Sequence, residues 1–118
     1  MAIELFKDLQ ELHVAAWNEK NETRREELLK QIYADDIKMY DQAFILQDLK
    51  EVSAFIGKLL AEDPMFNFSA ARNLETLQNG ARLYGHIRTS QGLLNSMDFF
   101  VIENGKVQHL YAFMEPAG

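Results

Sequence analysis

The spacing of apolar residues predicts three helices in the first half of the chain. In three segments apolar side chains recur every three or four residues, the period of an α-helix with one buried face. Polar residues 18–21 end the first segment, residues 23–26 match a capping box before the second, and Asp48 is a typical N-cap of the third. The predicted buried positions are Leu5, Leu9, Leu12 and Ala16, then Leu28, Leu29, Ile32 and Tyr33, then Val52, Phe55, Ile56, Leu59 and Leu60.

The second half has the patterns of an antiparallel sheet. A short strand over 37–40 is followed, beyond the third helix, by a strand over 66–78 with a bulge near Leu74, where alternation fails. Two Asn-Gly turns and a turn at 91–92 delimit further strands over 81–89, 93–103 and 106–114. Helices on one face of such a sheet predict a single α+β domain over residues 1–118, with a pocket if the sheet is strongly curved.

Composition excludes several classes of function. A net charge of −6 argues against nucleic acid or an anionic membrane as partner. The chain has no cysteine, which rules out disulfides, thiol catalysis and Cys-ligated metals and fits a reducing cytoplasm. The N-terminal residues do not resemble a signal peptide, and no apolar stretch is long enough to span a bilayer.

Asp98 is the most unusual residue, because every other member of the segment 97–102 is apolar. In a strand, Asp98, Phe100 and Ile102 share one face, and the other face is apolar too, so the strand is expected to be covered on both sides. A buried carboxylate must be hydrogen-bonded, paired or protonated, and such groups often mark functional sites. The alternative is an Asp at an open barrel mouth or one bonded to a backbone amide.

Two further residues could act with Asp98. His13 lies one helical turn from Leu9 and from Trp17, on the apolar face of the first helix, where it is either a site residue or a core histidine. Asp41 follows a strand end, a common place for catalytic groups, although an Asp there can also cap a turn. Two carboxylates and an imidazole around an apolar cavity would form an acid–base set.

The remaining chemistry-bearing residues suggest a binding pocket rather than a cofactor site. Tyr84, His86 and Arg88 share one strand face, either toward a ligand or on a surface used for dimerisation. The three histidines show no metal-ligand spacing, and there is no nucleophile elbow or phosphate loop, so neither a metal nor another cofactor is predicted. The predicted substrate-binding residues are Trp17, Tyr40, Phe55, Phe68, Tyr84, His86, Phe100 and Met114.

Residues 13–18, 33–41 and 97–107 resemble segments of the nuclear transport factor 2 (NTF2)-like superfamily, closest to its SnoaL-like polyketide cyclases and ketosteroid isomerases. The order of elements matches over nearly the whole chain. The resemblance implies a cone-shaped fold of the cystatin-like kind, in which three helices cover the concave face of a curved sheet.

The isomerase pattern assigns roles by position. It implies Asp41 as the base that removes a proton next to a carbonyl group, and Asp98 as a protonated acid in the oxyanion hole. His13 occupies the position of the pattern's second oxyanion donor, a tyrosine. The implied partner is a small apolar carbonyl compound, and the resemblance also implies a homodimer through the outer sheet face.

Two alternatives remain open at the level of sequence. Water activation, as in the epoxide hydrolases of this superfamily, would need Arg72 or Arg88 to point inward beside an Asp. The second alternative is a non-catalytic ligand carrier or dimeric scaffold of the same fold, since fold does not determine function.

Overall fold

A computed structural model describes the backbone of residues 2–117 and the side chains of residues 5–117. Three helices occur in the first half, namely α1 (Ala2–Trp17), α2 (Glu22–Ile32) and α3 (Leu49–Glu62). The strands are β1 (Tyr33–Tyr40), β2 (Ile45–Leu46), β3 (Asn67–Ala70), β4 (Glu75–Leu77), β5 (Gly80–Thr89), β6 (Gly92–Glu103) and β7 (Lys106–Pro116).

The strands form one curved, unclosed sheet in the order β2-β1-β7-β6-β5-β3, and β4 also pairs with β5. The fold is α+β, as predicted. The sheet is mixed rather than antiparallel, because β1 runs parallel to β7 with Tyr40 opposite Tyr111. No local turn signal could reveal this pairing, since its partners are far apart along the chain. The register shifts along β1–β7 and after Val101 on β6, and such irregularities increase curvature.

Most predicted helix ends are confirmed, with two corrections. The Asp48 carboxylate accepts the Glu51 amide 2.8 Å away, and α3 ends at Glu62 with Asp63 as its C-cap. The cap of α2 is Asn21 rather than Thr23, since its side chain accepts the Arg24 amide at 2.9 Å. Tyr33 was predicted on the buried stripe of α2, but it has extended backbone angles and begins β1.

The predicted strand over 66–78 is two strands. The chain bends at residues 71–74, close to the expected bulge, so that β3 and β4 each pair separately with β5. In the following hairpin the left-handed residue is Gln78, one position before the predicted Asn79-Gly80 turn. The later turn is as predicted, because Asn104 and Gly105 have φ angles of 54° and 76°, which a type I′ turn requires.

The two faces of the sheet have different environments. Side chains of the concave face pack beneath the helices, and on β6 these are Ser96, Asp98, Phe100 and Ile102, all buried. The outer face was expected to be covered, but Phe99, Tyr111 and Phe113 are 36%, 38% and 56% exposed. Among the residues described, none of the helices has both the length and the apolar character that crossing a membrane requires.

Candidate active site

A cavity of about 220 Å³ lies between the helices and the concave face of the sheet. Most of its wall is apolar and comes from α1, α3 and the inner positions of five strands. The polar residues Asp41, Glu62, Asp63 and Thr89 are more exposed and mark its opening. The apolar wall consists of Trp17, Met39, Phe55, Leu59, Phe66, Phe68, Ile87, Leu94, Ala112 and Met114, with Ser96 and Asp98 among them.

Asp98 is the carboxylate on the inner wall of this cavity, and it is 7% exposed. Its position follows from the alternation of β6, which turns Asp98 toward the helices between Ser96 and Phe100. The Oδ2 atom of Asp98 lies 3.0 Å from Nε2 of His13 on α1. The strand therefore supplies the acid, and the helix that covers it supplies its hydrogen-bond partner.

A chain of hydrogen bonds behind Asp98 determines which ring nitrogen of a neutral His13 carries the proton. The Trp17 indole N–H can only donate, and it donates to the Tyr33 hydroxyl over 3.0 Å. Tyr33 then directs its own proton to Nδ1 of His13, 2.8 Å away. Because Nδ1 accepts, a neutral His13 carries its proton on Nε2 and donates it to Asp98. If Nδ1 donated instead, the Tyr33 proton would have no acceptor among the described residues.

Tyr33 is suited to this position because it remains a phenol. Burial raises the pKa of Tyr33 well above its ordinary value, the Trp17 hydrogen bond lowers it by less, and the charge of Asp98 raises it again. The hydroxyl therefore keeps a proton to donate to His13 at any physiological pH. Sequence reasoning missed Tyr33 as a site residue, since it was assigned to the buried face of α2.

His13 lies behind Asp98 and outside the cavity wall. It is 1% exposed, and the rings of Phe68 and Phe100 contact it edge-on at 5.5 and 5.0 Å between centroids. These contacts hold the imidazole in place, and the neutral ring donates its one N–H to Asp98. The isomerase pattern implied that His13 contacts an oxyanion in the cavity, but in the structure His13 does not reach the cavity. Phe100 packs against His13 and does not line the cavity either.

Asp41 lies at the opening of the same cavity, in the turn between β1 and β2. Its Oδ2 atom accepts the Ala43 amide at 3.0 Å, and its own amide donates to the Phe44 carbonyl at 2.9 Å. The carboxylate thus stabilises the turn and borders the cavity at once. The structure brings Asp41 and Asp98 to one cavity and leaves His13 in the layer behind it.

Apart from Phe100, which packs against His13, the predicted substrate-binding residues divide into two groups. Trp17, Phe55, Phe68 and Met114 line the inner cavity. Tyr40, Tyr84 and His86 lie on the outer face instead, where Tyr40 stacks on Tyr111 with 4.4 Å between ring centroids. These three do not line the inner cavity, because β1 and β5 turn alternate side chains to opposite faces and these three point outward. For Tyr84 and His86 this is the second of the two positions that the sequence left open, and their role in substrate binding stays a prediction.

The outer face also contains the arginines that water activation would need. Arg72 lies 4.1 Å over the Tyr84 ring, and Arg72 and Arg88 are both exposed. Neither guanidinium lines the inner cavity, so the Asp–Arg pair of that alternative is not formed there. A hollow of about 730 Å³ lies on this side of the sheet and is bordered by Tyr40, Tyr84 and Tyr111. Four residues border both hollows, namely Asp41, Ser96, Ala112 and Met114.

The described residues contain no group of three or more His, Asp or Glu side chains arranged to hold a metal ion. The inner cavity offers four carboxylates, those of Asp41, Glu62, Asp63 and Asp98, together with the Ser96 and Thr89 hydroxyls and an apolar wall, and Asp98 is the one buried carboxylate among them. Such a set can bind a small apolar molecule and move a proton to or from it.

No protein-family model and no curated protein matches this chain. Solved structures do match, and they show that the fold is that of NTF2-like proteins. An Agrobacterium tumefaciens protein, provisionally described as an isomerase of the SnoaL-like family, has a TM-score of 0.83 at 19% identity over 95% of this chain and 98% of its own.

Two further structures show how widely this fold is used. A Kribbella flavida protein, provisionally described as a ketosteroid isomerase, has a TM-score of 0.75 at 16% identity over 98% of this chain and 81% of its own. A de novo designed protein with a curved β-sheet has a TM-score of 0.76 at 15% identity over 98% of this chain and 88% of its own. At these identities the likeness concerns the fold, and function must be argued from the site.

Proposed function

We propose that this protein catalyses proton transfer on a small apolar carbonyl compound, as an isomerase or cyclase. One observation carries the proposal: a carboxylate that is 7% exposed lies on the wall of an apolar cavity and is held from behind by His13. Burying such a group costs free energy, and a chain of three oriented hydrogen bonds maintains it in one position. The neighbours described as isomerases share the fold and support the same class of reaction.

In this proposal Asp98 is the base, which revises the role that the isomerase pattern gave it. The Oδ2 atom of Asp98 accepts the His13 proton, so Asp98 is oriented as an acceptor. Carboxylates abstract protons next to carbonyl groups when they are within about 3 Å of the proton's carbon. Asp41 is the second carboxylate, placed at the opening, where it can return or receive a proton.

The volume of the cavity limits the substrate. At about 220 Å³ it is smaller than the roughly 300–1,000 Å³ typical of pockets for drug-sized ligands. A steroid would fill more than this space, so we propose a smaller ketone or 1,3-dicarbonyl compound. The ring walls of Trp17, Phe55 and Phe68 favour a flat, apolar molecule.

The test is exchange of α-protons for deuterium in small cyclic ketones and 1,3-diketones, followed by NMR in D₂O. Asp98→Asn keeps an oxygen that can accept the His13 hydrogen bond but removes the base, so exchange should fall by about 10²–10⁴-fold while the thermal stability changes little. Asp41→Asn is the matched variant and should retain more activity. If Asp98→Asn exchanges protons as fast as the wild type, Asp98 is not the base.

A non-catalytic binding or scaffold module is the second candidate, and the outer face favours it. Phe99, Tyr111 and Phe113 form an apolar surface that a second copy of the chain could cover, and we propose a homodimer through this face. Phe113→Glu should give the monomer mass in light scattering, whereas Leu77→Glu, at an equally apolar position that is 78% exposed on β4, should leave the dimer intact. A wild-type protein that is monomeric at high concentration would contradict the dimer.

A further inference from the structure

Ser96 has a buried hydroxyl without a partner. The residue is 6% exposed, and among the described residues its Oγ is the one buried side-chain oxygen or nitrogen that makes no hydrogen bond within the chain. A buried hydroxyl left unpaired costs about 1–3 kcal/mol, so buried polar groups are nearly always satisfied. Ser96 is on the concave face of β6 and borders the inner cavity as well as the hollow on the other side of the sheet. A molecule bound in the inner cavity can therefore become the missing partner when the hydroxyl turns away from Gly85.

The strand next to Ser96 leaves space for this hydroxyl. Gly85 on β5 is directly opposite Ser96 in the sheet. A Cβ atom at position 85 would lie 2.8 Å from the Ser96 Oγ and 2.8 Å from the Phe68 ring, closer than real contacts allow. The glycine therefore leaves room for the Ser96 Oγ, which lies over Gly85 beside the Phe68 ring in the free protein and reaches a ligand in the cavity by rotation about the Ser96 Cα–Cβ bond.

We propose that the Ser96 hydroxyl binds the oxygen of the ligand in the inner cavity, and that it donates to the developing oxyanion during proton abstraction. The second half of this inference rests on the proposed function of Asp98. His13 is not available as the donor, because its proton is used on Asp98 and it does not line the cavity.

The spacing of Ser96 and Asp98 fits a carbonyl group and its neighbouring carbon. The two residues are on the same face of β6, two positions apart, which separates their Cα atoms by roughly 7 Å. A carbonyl oxygen and the adjacent α-carbon are about 2.4 Å apart. With an O–H···O bond of about 2.8 Å at one end and a carboxylate about 3 Å from the α-carbon at the other, one ligand can reach both groups.

The proton transfer balances without another reactant. Asp98 takes the α-proton, the C–H electron pair becomes a carbon–carbon double bond, and the carbonyl pair moves to the oxygen that Ser96 holds. Return of the proton from Asp98 to the same or a conjugated carbon reforms the carbonyl group. The hydrogen bond from Ser96 strengthens as charge develops on the oxygen, so it favours the transition state over the bound ketone.

The first experiment compares binding of phenol and toluene, which have the same number of non-hydrogen atoms. In Ser96→Ala, affinity for phenol should fall about 3- to 10-fold and affinity for toluene should change less than about 2-fold. Ser69→Ala is the matched control, because Ser69 is on β3 opposite His86 and faces away from the cavity, and it should change neither. Equal effects of Ser96→Ala on both ligands, or none on phenol, would overturn the inference.

Two further measurements separate the Ser96 inference from the proposed function. Because the hydroxyl has no partner in the free protein, Ser96→Ala should not lower the midpoint of urea unfolding, whereas a structural role would lower it. In the deuterium-exchange assay the variant should lose kcat by on the order of 10²-fold with little change in KM. If the wild type exchanges protons and Ser96→Ala does so at the same rate, the oxyanion role alone is refuted. If Ser96→Ala selectively loses phenol binding but the wild type exchanges no protons, only the proposed function is refuted.

Discussion

Removal of the Tyr33 hydroxyl tests whether the hydrogen-bond chain behind Asp98 is formed. In Tyr33→Phe the Trp17 N–H loses its acceptor and the His13 Nδ1 atom loses its donor, and the position is 1% exposed, so water cannot replace the hydroxyl. Leaving a buried polar group unsatisfied costs about 1–3 kcal/mol. Two such groups, with some relaxation, should lower the free energy of unfolding by roughly 2–4 kcal/mol.

Tyr40→Phe is a matched control for this measurement. Tyr40 also bonds to a histidine Nδ1, that of His109 at 3.1 Å, but it does so on the outer face, where water can take the place of the hydroxyl. Its removal should change stability by less than about 0.5 kcal/mol. Tyr33→Phe thus removes two buried hydrogen bonds, whereas Tyr40→Phe removes one that water can replace.

The assay is urea unfolding followed by the fluorescence of Trp17, the single tryptophan of the chain, whose indole donates to Tyr33. Tyr33→Phe should shift both the folded emission and the unfolding midpoint, with the slope m unchanged. If Tyr33→Phe and Tyr40→Phe have equal unfolding free energies, the buried chain does not exist as described, and the argument for an oriented His13 fails with it.

Three other predictions concern the framework of the site. Asn18 exchanges hydrogen bonds of 2.8 Å with both the N–H and the C=O of Phe68, so Asn18→Ala should lower the free energy of unfolding by about 1–3 kcal/mol in urea. Asp48→Ala removes the α3 cap and should cost about 1 kcal/mol in the same assay. Hydrogen bonds from Ser90 lower the pKa of Asp63 below its usual 3.8. The ionised Asp63 therefore stabilises the folded protein fully above pH 3.8, and this stabilisation is lost as the pH falls through the lowered pKa. Asp63→Asn should therefore be less stable than the wild type at neutral pH, and the gap should close during acid titration; a constant gap would contradict this assignment.

Sequence patterns could predict the elements whose signals are local. The caps of α3, the type I′ turn at Asn104 and the alternation that turns Asp98 inward each depend on a few adjacent residues. The parallel pairing of β1 with β7 depends on contacts between distant parts of the chain, and no short pattern encodes it. The same holds for Tyr33, because the register of β1 slips between Tyr33 and Lys38 and removes the alternation that would have marked a strand.

The candidate site could be predicted as a set of residues but not as an arrangement. Helical spacing correctly put His13 on the buried face of α1, yet its place behind Asp98 depends on how closely α1 approaches the curved sheet. Alternation put Ser96 on the same face as Asp98, but only the structure shows that its hydroxyl lacks a partner. Whether a side chain contacts another residue or an empty space is a property of packing in three dimensions.

The polar groups in the cavity are informative because the fold does not need them. A de novo designed protein with a curved β-sheet has a similar fold at 15% identity, so very different side chains can build this framework. A core selected for stability alone avoids buried carboxylates and unpaired hydroxyls. This chain places Asp98 and Ser96 two positions apart on an apolar wall, and it holds Asp98 with three hydrogen bonds in series while the buried Ser96 hydroxyl has no partner. That difference in treatment, with one group fixed from behind and its neighbour left without a partner, is what a site for an oxygen-bearing ligand requires and what a purely structural core does not explain.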